Sequence, residues 1–137
     1  MHKTIFILLF ILFNLNSYSQ IIKCKTTGFA SRSKNEISEI WTEWSDFKEV
    51  EILLIIDPDN DRIKIFSKED QVYDIIKSYE SEIDQDGDKT IKWLCVNEDG
   101  IKCIVRLVKL YSQEGRSQIY VDFEDFMYVY NIYKLDD

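Results

Sequence analysis

The chain has 137 residues, of which 25 are acidic and 17 are basic, and its formal net charge at pH 7 is −8. This acidity argues against nucleic acid and anionic membranes as partners, because both are negatively charged. It permits a cationic ligand or a basic partner protein without requiring one, since charge of this size commonly serves solubility. One proline and four glycines are too few to mark a linker, which predicts a single compact domain.

The first 19 residues have the three parts of a secretory signal peptide. Lys3 supplies a positive charge, residues 5–13 form an unbroken apolar run, and residues 14–19 are polar and end in small residues. The apolar run is shorter than the about 20 residues that cross a bilayer. We therefore expect removal of residues 1–19, export to the periplasm or the extracellular space, and one mature β-rich domain, residues 20–137, without an integral membrane anchor.

Cleavage would leave a mature domain without histidine, because His2 is the only histidine in the sequence. Ser-His-Asp and Cys-His catalysis and imidazole-based zinc sites are then excluded. The four glycines are too far apart to form a phosphate-binding loop. The sequence thus predicts no catalytic residue, no cofactor and no metal site, although a carboxylate pair needs only aspartate and glutamate.

Alternating and β-branched segments, separated by turn-forming residues, predict antiparallel strands along the rest of the chain. In its first part these segments lie around residues 22–26, 37–44, 50–56, 62–65 and 71–83. The last segment also has helical spacing of its apolar residues after a capping pattern at residues 67–70. We favour a strand there, because the Asp-Gly turn at residues 86–87 leads into a well-defined strand that needs an antiparallel partner.

The clearest hairpin prediction surrounds residues 97–100, whose sequence Asn-Glu-Asp-Gly suits a type I turn followed by a left-handed glycine. This turn places Cys95 opposite Cys103 and Trp93 opposite Val105 on one apolar face. The alternate positions carry basic residues, as expected of an outer face. Turn chemistry and alternation therefore agree on one register, and a slip of one residue would reverse the faces.

Two further strands are predicted at residues 118–123 and 126–133, joined by a turn at residues 124–125. The total is eight or nine strands in one antiparallel meander, so the predicted fold class is all-β. Closure into a barrel would remove the sheet edges. The expected architecture is a closed barrel that resembles lipocalins and other calycins in strand count, not in any motif, and a two-layer β-sandwich is the alternative.

The three cysteines are the most specific chemical feature. Cys95 and Cys103 are a candidate disulfide, because they face each other and an oxidising compartment would let them bridge. Their hydrogen-bonded position separates the Cα atoms, so two buried free thiols are the alternative. Cys24 is the odd cysteine, which could be a buried thiol, pair with one of the others or bond to a second chain.

Two groups of alternating aspartates resemble calcium loops, namely Asp57, Asp59 and Asp61, and Asp84, Asp86 and Asp88. Neither group combines a glycine at position six of the loop with a glutamate at position twelve, as an EF-hand requires. We interpret both as solvated hairpin turns, because aspartate is a preferred turn residue.

The aromatic residues are candidates for a binding surface. Trp41 and Trp44 differ in parity, so a regular strand cannot turn both inward, and we predict a partner surface there. Trp93, Tyr128, Tyr130 and Tyr133 could line a cavity or stack on a ligand, although core packing is the simpler account of Trp93.

These observations leave three functions. The first expectation is an exported small binding protein that holds an apolar or aromatic ligand inside the barrel, in a cavity of roughly several hundred cubic ångströms. The alternative is a protein-interaction or inhibitor module with a filled core and an exposed apolar patch. A carboxylate-based hydrolase is the second alternative.

Overall fold

A computed structural model describes residues 21–135, so the predicted signal peptide lies outside the described residues. The described strands are β1 (Ile22–Ser33), β2 (Lys48–Glu49), β3 (Leu53–Asp57), β4 (Arg62–Ile65), β5 (Gln71–Ser78), β6 (Glu82–Ile83), β7 (Lys89–Asn97), β8 (Lys102–Leu110), β9 (Arg116–Asp122) and β10 (Phe126–Lys134). Two short 3₁₀ turns, Pro58–Asn60 and Tyr111–Gln113, follow β3 and β8. Across residues 21–135 there is no helix with the length and apolar character needed to cross a bilayer.

Eight of these strands close into an antiparallel barrel. Each ring strand pairs with its neighbours in chain order, and β1 completes the ring by pairing with both β3 and β10. The two-residue strands β2 and β6 lie off the ring, against β1 and β7. The predicted all-β fold class and closed barrel are therefore confirmed, and the sandwich alternative is wrong because one continuous sheet closes on itself.

The hairpin of β7 and β8 has the predicted register. Cys95 pairs with Cys103 and Trp93 with Val105, and all four side chains are buried. The turn also has its predicted chemistry, because Gly100 has a φ of 78°, in the left-handed region that favours glycine. Turn and alternation act on neighbouring residues, so the sequence alone was sufficient to predict this part of the sheet.

The strands predicted at residues 71–83 and at residues 37–44 have different outcomes. Residues 71–83 contain strands β5 and β6, so the preference for strand over helix is confirmed. Residues 37–44 do not form the predicted strand and contribute an isolated bridge between Lys34 and Trp41. This segment runs antiparallel alongside the second half of β1, where Thr42 N donates to Ser33 O and Ser45 N donates to Ser31 O, each at 2.8 Å. Its Trp44 side chain lies over the outer face of the sheet, 6.0 Å from the ring of Tyr120 on β9.

A β-bulge in β1 changes which side chains of this strand point into the barrel and which point outward. The pairing of β1 with β10 shifts between Thr26 and Gly28, which leaves Thr27 as an extra residue and changes the parity of the strand. Phe29 then packs inward against Tyr128 and Tyr130. The outward positions that follow face the segment after β1, because Phe47 lies beside Gly28 and Trp44 lies beside Arg32.

The main core fills the inside of the ring. It contains buried side chains from every ring strand or its adjoining turn, namely Cys24, Leu54, Ile56, Ile63, Ile65, Tyr73, Trp93, Cys95, Cys103, Val105, Leu107, Ile119, Val121, Phe123, Tyr130 and Ile132. Burial of each large aliphatic side chain stabilises the fold by about 1.5–3 kcal/mol. The predicted inner faces of the strands are thus confirmed where the alternation is regular.

One end of the barrel, here called the mouth, collects the connections that carry most of the polar loop residues. These connections are the segment after β1, the β4–β5 loop, the β7–β8 turn and the β9–β10 turn. Because neighbouring strands are antiparallel, alternate connections lie at the same end of a barrel. The mouth is where the candidate site lies.

Candidate functional site

An open cleft of about 640 Å³ lies at the mouth. Its aromatic wall is formed by Tyr73, Phe123, Phe126 and Tyr128. Its polar rim is formed by Ser67, Lys68, Glu69, Asp70, Gln71, Asn97, Glu98 and Asp99. The cleft therefore offers one apolar side and one charged side to a ligand.

The aromatic wall is a continuous surface of ring contacts. Phe123 and Phe126 stack with their centroids 4.4 Å apart, and Tyr128 lies 5.3 Å from Phe126. Tyr73 continues the wall on the other side, 6.4 Å from Phe123. The β9–β10 turn holds the stacked pair, because Phe123 N donates to Phe126 O at 2.9 Å.

A side-chain bridge crosses the barrel beneath this cleft. Gln71 Nε2, on β5, donates to the hydroxyl oxygen of Tyr130, on β10, at 3.1 Å. These strands are four positions apart in the ring of eight in either direction, so they are opposite walls of the barrel. Tyr73 donates to Gln71 Oε1 at 2.6 Å, and Gln71 Nε2 also donates to Ser67 Oγ at 3.0 Å. The bridge lies where the cleft meets the apolar core, because Tyr73 belongs both to the cleft lining and to the core.

The two phenols of the bridge stay neutral. Tyr73 and Tyr130 are each 3% exposed. Burial raises the pKa of both side chains above the ordinary tyrosine value, and for Tyr130 the hydrogen bond from Gln71 opposes this only in part. The phenols therefore act as hydrogen-bonding groups in the wall between cleft and core.

The rim of the cleft is strongly acidic. Its exposed charged side chains are Glu69 and Asp70 on the β4–β5 loop and Glu98 and Asp99 on the β7–β8 turn, against Lys68 alone. None of these five residues takes part in the ion pairs found within residues 21–135. The rim carboxylates are therefore available to a ligand.

Cys95 and Cys103 meet on the inner face as predicted, but their thiols are free in the structure. Burial raises the pKa of each to about 12, and Cys95 Sγ donates to the Trp93 carbonyl oxygen at 3.8 Å. Cys24 is also a buried free thiol with a pKa raised by burial. These thiols are too rarely ionised to act as nucleophiles at neutral pH.

The predicted partner surface at Trp41 and Trp44 is engaged within the protein. Both indoles are half-buried and flank the guanidinium of Arg32, whose Cζ lies 5.1 Å from the Trp41 ring centroid and 4.8 Å from that of Trp44. The parity argument assumed a strand, and neither ring points into the barrel. The segment instead exposes Ile37 (96%) and Ile40 (69%), which sequence reasoning missed because a strand was expected there.

The three tyrosines that were predicted to line a cavity lie in three different environments. Tyr128 lines the mouth cleft, Tyr130 lies in the bridge below it, and Tyr133 is exposed elsewhere on β10. Two other wall residues, Phe123 and Phe126, adjoin a turn that the sequence did predict, and the fourth, Tyr73, lies on β5. Their hydrophobicity at a turn was the one available signal of the site.

The aspartate turns differ from each other. Asp57 caps an exposed turn, as predicted, by accepting from Asn60 N at 3.4 Å. Asp88 is buried, so the prediction of a solvated turn is wrong there. Its carboxylate accepts from Ser112 N at 2.9 Å and from Ser112 Oγ at 2.8 Å, which ties two loops together.

Asp84, Asp86 and Asp88 each place one carboxylate oxygen within 4.8 Å of the others. One Asp84 oxygen already accepts from the backbone N of Asp86 at 2.9 Å and of Asp88 at 3.0 Å. These bonds stabilise the turn before β7. The cluster has a structural role.

Comparison with protein-family models, curated proteins and solved structures finds no significant match to this chain. The chemistry of the mouth cleft is therefore the basis for the function proposed below.

Proposed function

We propose that this protein is a small exported binding protein whose ligand, a small molecule with an apolar or aromatic body, occupies the mouth cleft. The observation that supports this proposal is the wall of four contacting aromatic rings in a cleft of about 640 Å³. Ligand sites in proteins commonly have volumes of about 300–1,000 Å³ and combine aromatic walls with a few polar groups. The cleft has both properties.

The mouth is favoured over the barrel lumen as the ligand position. The lumen holds large side chains, among them Trp93 and Ile119, and the Gln71–Tyr130 bridge crosses it. Barrels of eight strands have an interior that side chains can fill. A ligand at the mouth needs no displacement of this core.

Export through the predicted signal peptide, residues 1–19, is part of the proposal. An oxidising destination would also allow the facing thiols of Cys95 and Cys103 to form the disulfide that the sequence permits. Intact-mass measurement of protein from the periplasm or the medium tests both points. We expect a mass that begins at Gln20, and a bridged pair would lower it by two hydrogens. Absence of the protein from both the periplasm and the medium, with residues 1–19 retained on all of the cellular protein, would contradict export.

The binding proposal is tested with N-phenyl-1-naphthylamine, an uncharged aromatic probe whose fluorescence rises in apolar sites. We expect saturable binding by the mature domain, and Phe126→Ala should weaken it by about tenfold, because the change removes a stacked ring from the wall. Tyr111→Ala is the matched control, since Tyr111 is 57% exposed in a turn at the other end of the barrel.

Circular dichroism and thermal unfolding of the variants separate loss of the site from loss of the fold. Phe126→Leu provides a second variant that keeps the position apolar while removing the ring. Absence of saturable probe binding by the folded wild type, or equal effects of the Phe126 and Tyr111 changes, would contradict the proposal.

A protein-interaction module is the second candidate, supported by the exposure of Ile37 and Ile40 on the segment that crosses the barrel wall. Native mass spectrometry of protein purified from its own cells distinguishes the two functions. Retained small-molecule mass supports the binding protein. A co-purifying protein that is lost after Ile37→Ser and Ile40→Ser supports the module.

A further inference from the structure

We infer that the ligand of the mouth cleft is a cation, in which an ammonium or guanidinium group is joined to an aromatic or apolar body. This inference rests on the proposed function, because it specifies the chemistry of the same site. The two sides of the cleft support it independently, one through its carboxylates and the other through its ring faces.

The acidic side of the cleft comes from two adjacent connections. The β4–β5 loop carries Glu69 and Asp70, and the β7–β8 turn carries Glu98 and Asp99. The two connections are neighbours because β5 pairs with β7, with Tyr73 opposite Asn97 at the mouth. The ratio of acidic to basic residues is therefore four to one in the cleft lining, which is higher than the ratio of 25 to 17 in the whole chain.

The aromatic side of the cleft also favours a positive charge. The face of an aromatic ring attracts a cation that lies within about 6 Å of its centroid. This protein uses that contact repeatedly, for example between Arg106 and Tyr120 at 4.2 Å and between Lys64 and Phe66 at 4.5 Å.

The rings of the cleft wall have no such partner among the described residues. The cation–π contacts found within residues 21–135 involve Trp41, Trp44, Phe66, Tyr79 and Tyr120. Phe126 and Tyr128, which are half-buried, are the wall rings whose surfaces a ligand can reach, since Tyr73 and Phe123 are buried. A cationic group between wall and rim would contact ring faces on one side and carboxylates on the other.

An anionic ligand fits the same cleft poorly. It would approach the four rim carboxylates with Lys68 as the only opposite charge. An uncharged ligand would use the wall and could form hydrogen bonds with the rim, but it would gain no charge attraction from the four carboxylates. Charge therefore determines which of several ligands of equal shape the cleft selects.

The inference is tested with two ligands of nearly equal shape, benzyltrimethylammonium and its uncharged carbon analogue neopentylbenzene, each displacing N-phenyl-1-naphthylamine from the mature domain. We expect the cation to bind about tenfold tighter at low salt. Added salt should reduce the preference, since it screens exposed charges.

Charge-neutralising variants test whether the carboxylates of the rim cause the preference for the cation. Glu98→Gln with Asp99→Asn should abolish most of the preference for the cation over neopentylbenzene, and thermal unfolding checks that this double variant keeps its fold. Glu124→Gln with Asp125→Asn is the matched control, because it removes two exposed carboxylates from the neighbouring β9–β10 turn, outside the lining of the cleft. The control should keep the preference.

The outcomes separate this inference from the proposed function. Probe binding without preference for the cation overturns the inference and leaves the binding function standing. Equal loss of preference in both double variants also overturns it, since the effect would then come from net charge. If neither the probe nor the two ligands bind the folded protein, the proposed function itself fails.

Discussion

Individual residues of this barrel have their chemistry set by which face of a strand they occupy. Cys95 and Cys103 lie on the inner face, where burial raises the pKa of each thiol to about 12. They therefore pack as small apolar side chains. The sequence predicted their facing positions from local alternation, but their protonation depends on the depth of the surrounding core.

The buried thiols predict a loss of stability in alkaline solution for the reduced protein. In the unfolded chain they ionise near the ordinary value of 9.0, whereas the folded protein keeps them protonated until about pH 12. Stability is therefore unaffected by these groups below pH 9 and falls as pH rises from 9 toward 12. Each thiol should contribute roughly 1 kcal/mol per pH unit in that window.

Urea unfolding under reducing conditions, from about pH 8 to about pH 10, measures this effect. Replacement of both residues by alanine should flatten the alkaline decline relative to the wild type. The comparison is made on the slope with pH, because the cavities left by the changes lower stability at every pH. Equal slopes in the two proteins would contradict the prediction.

At the scale of elements, the bulge in β1 decides which parts of the surface become buried. The register shift around Thr27 turns Phe29 inward and leaves Ala30 outward, yet Ala30 is fully buried beneath residues 34–49. The bulge adds one polar residue, Thr27, to the strand, and the pattern of hydrophobic residues in the sequence does not reveal such an addition. The sequence therefore predicted the start of this strand correctly and missed its second half, together with the irregular segment that covers it.

Thr26 anchors the chain beside the bulge, which predicts a specific cost for its replacement by valine. Its hydroxyl donates to Val50 O at 2.5 Å and accepts from Ile52 N at 3.0 Å, and the residue is 0% exposed. Valine has nearly the same shape but leaves both backbone groups without this partner. Thr26→Val should lower the free energy of unfolding by about 1–3 kcal/mol.

The exposed neighbour Thr27 provides the control for this change, since Thr27→Val alters the same chemistry outside the core. Urea unfolding of both variants gives the comparison. If the Thr26 and Thr27 variants unfold at the same urea concentration, the anchoring role of the Thr26 hydroxyl is wrong.

At the scale of the whole molecule, closure of the ring brings opposite walls close enough for side chains to meet. The Gln71–Tyr130 bridge joins β5 to β10, which are 59 residues apart in the sequence at this contact. It lies at the floor of the candidate site, where Gln71 also lines the cleft. No local pattern around either residue indicates the other, because the contact exists only once eight strands have closed.

Removal of the Tyr130 hydroxyl tests this bridge. Tyr130→Phe keeps the ring and deletes the oxygen that accepts from Gln71 Nε2, so it should destabilise the fold by about 1 kcal/mol. Tyr133→Phe, at a 46% exposed position of the same strand, should have little effect. Urea unfolding measures both changes.

A double-mutant cycle with Gln71→Leu then isolates the pair. We expect a coupling energy of about 0.5–3 kcal/mol between positions 71 and 130. Strictly additive effects would show that the two side chains do not stabilise the barrel together.

The sequence by itself determined most of the strands, most of their inner faces and the register of the hairpin around Asn97, because alternation and turn chemistry act between neighbouring residues. The tertiary structure decided that the ring closes, that Trp41 and Trp44 flank Arg32, and that an aromatic cleft lies at the mouth. These features depend on contacts between residues distant in sequence. They appear only when the closed barrel places β1 beside β10 and places β5 opposite β10.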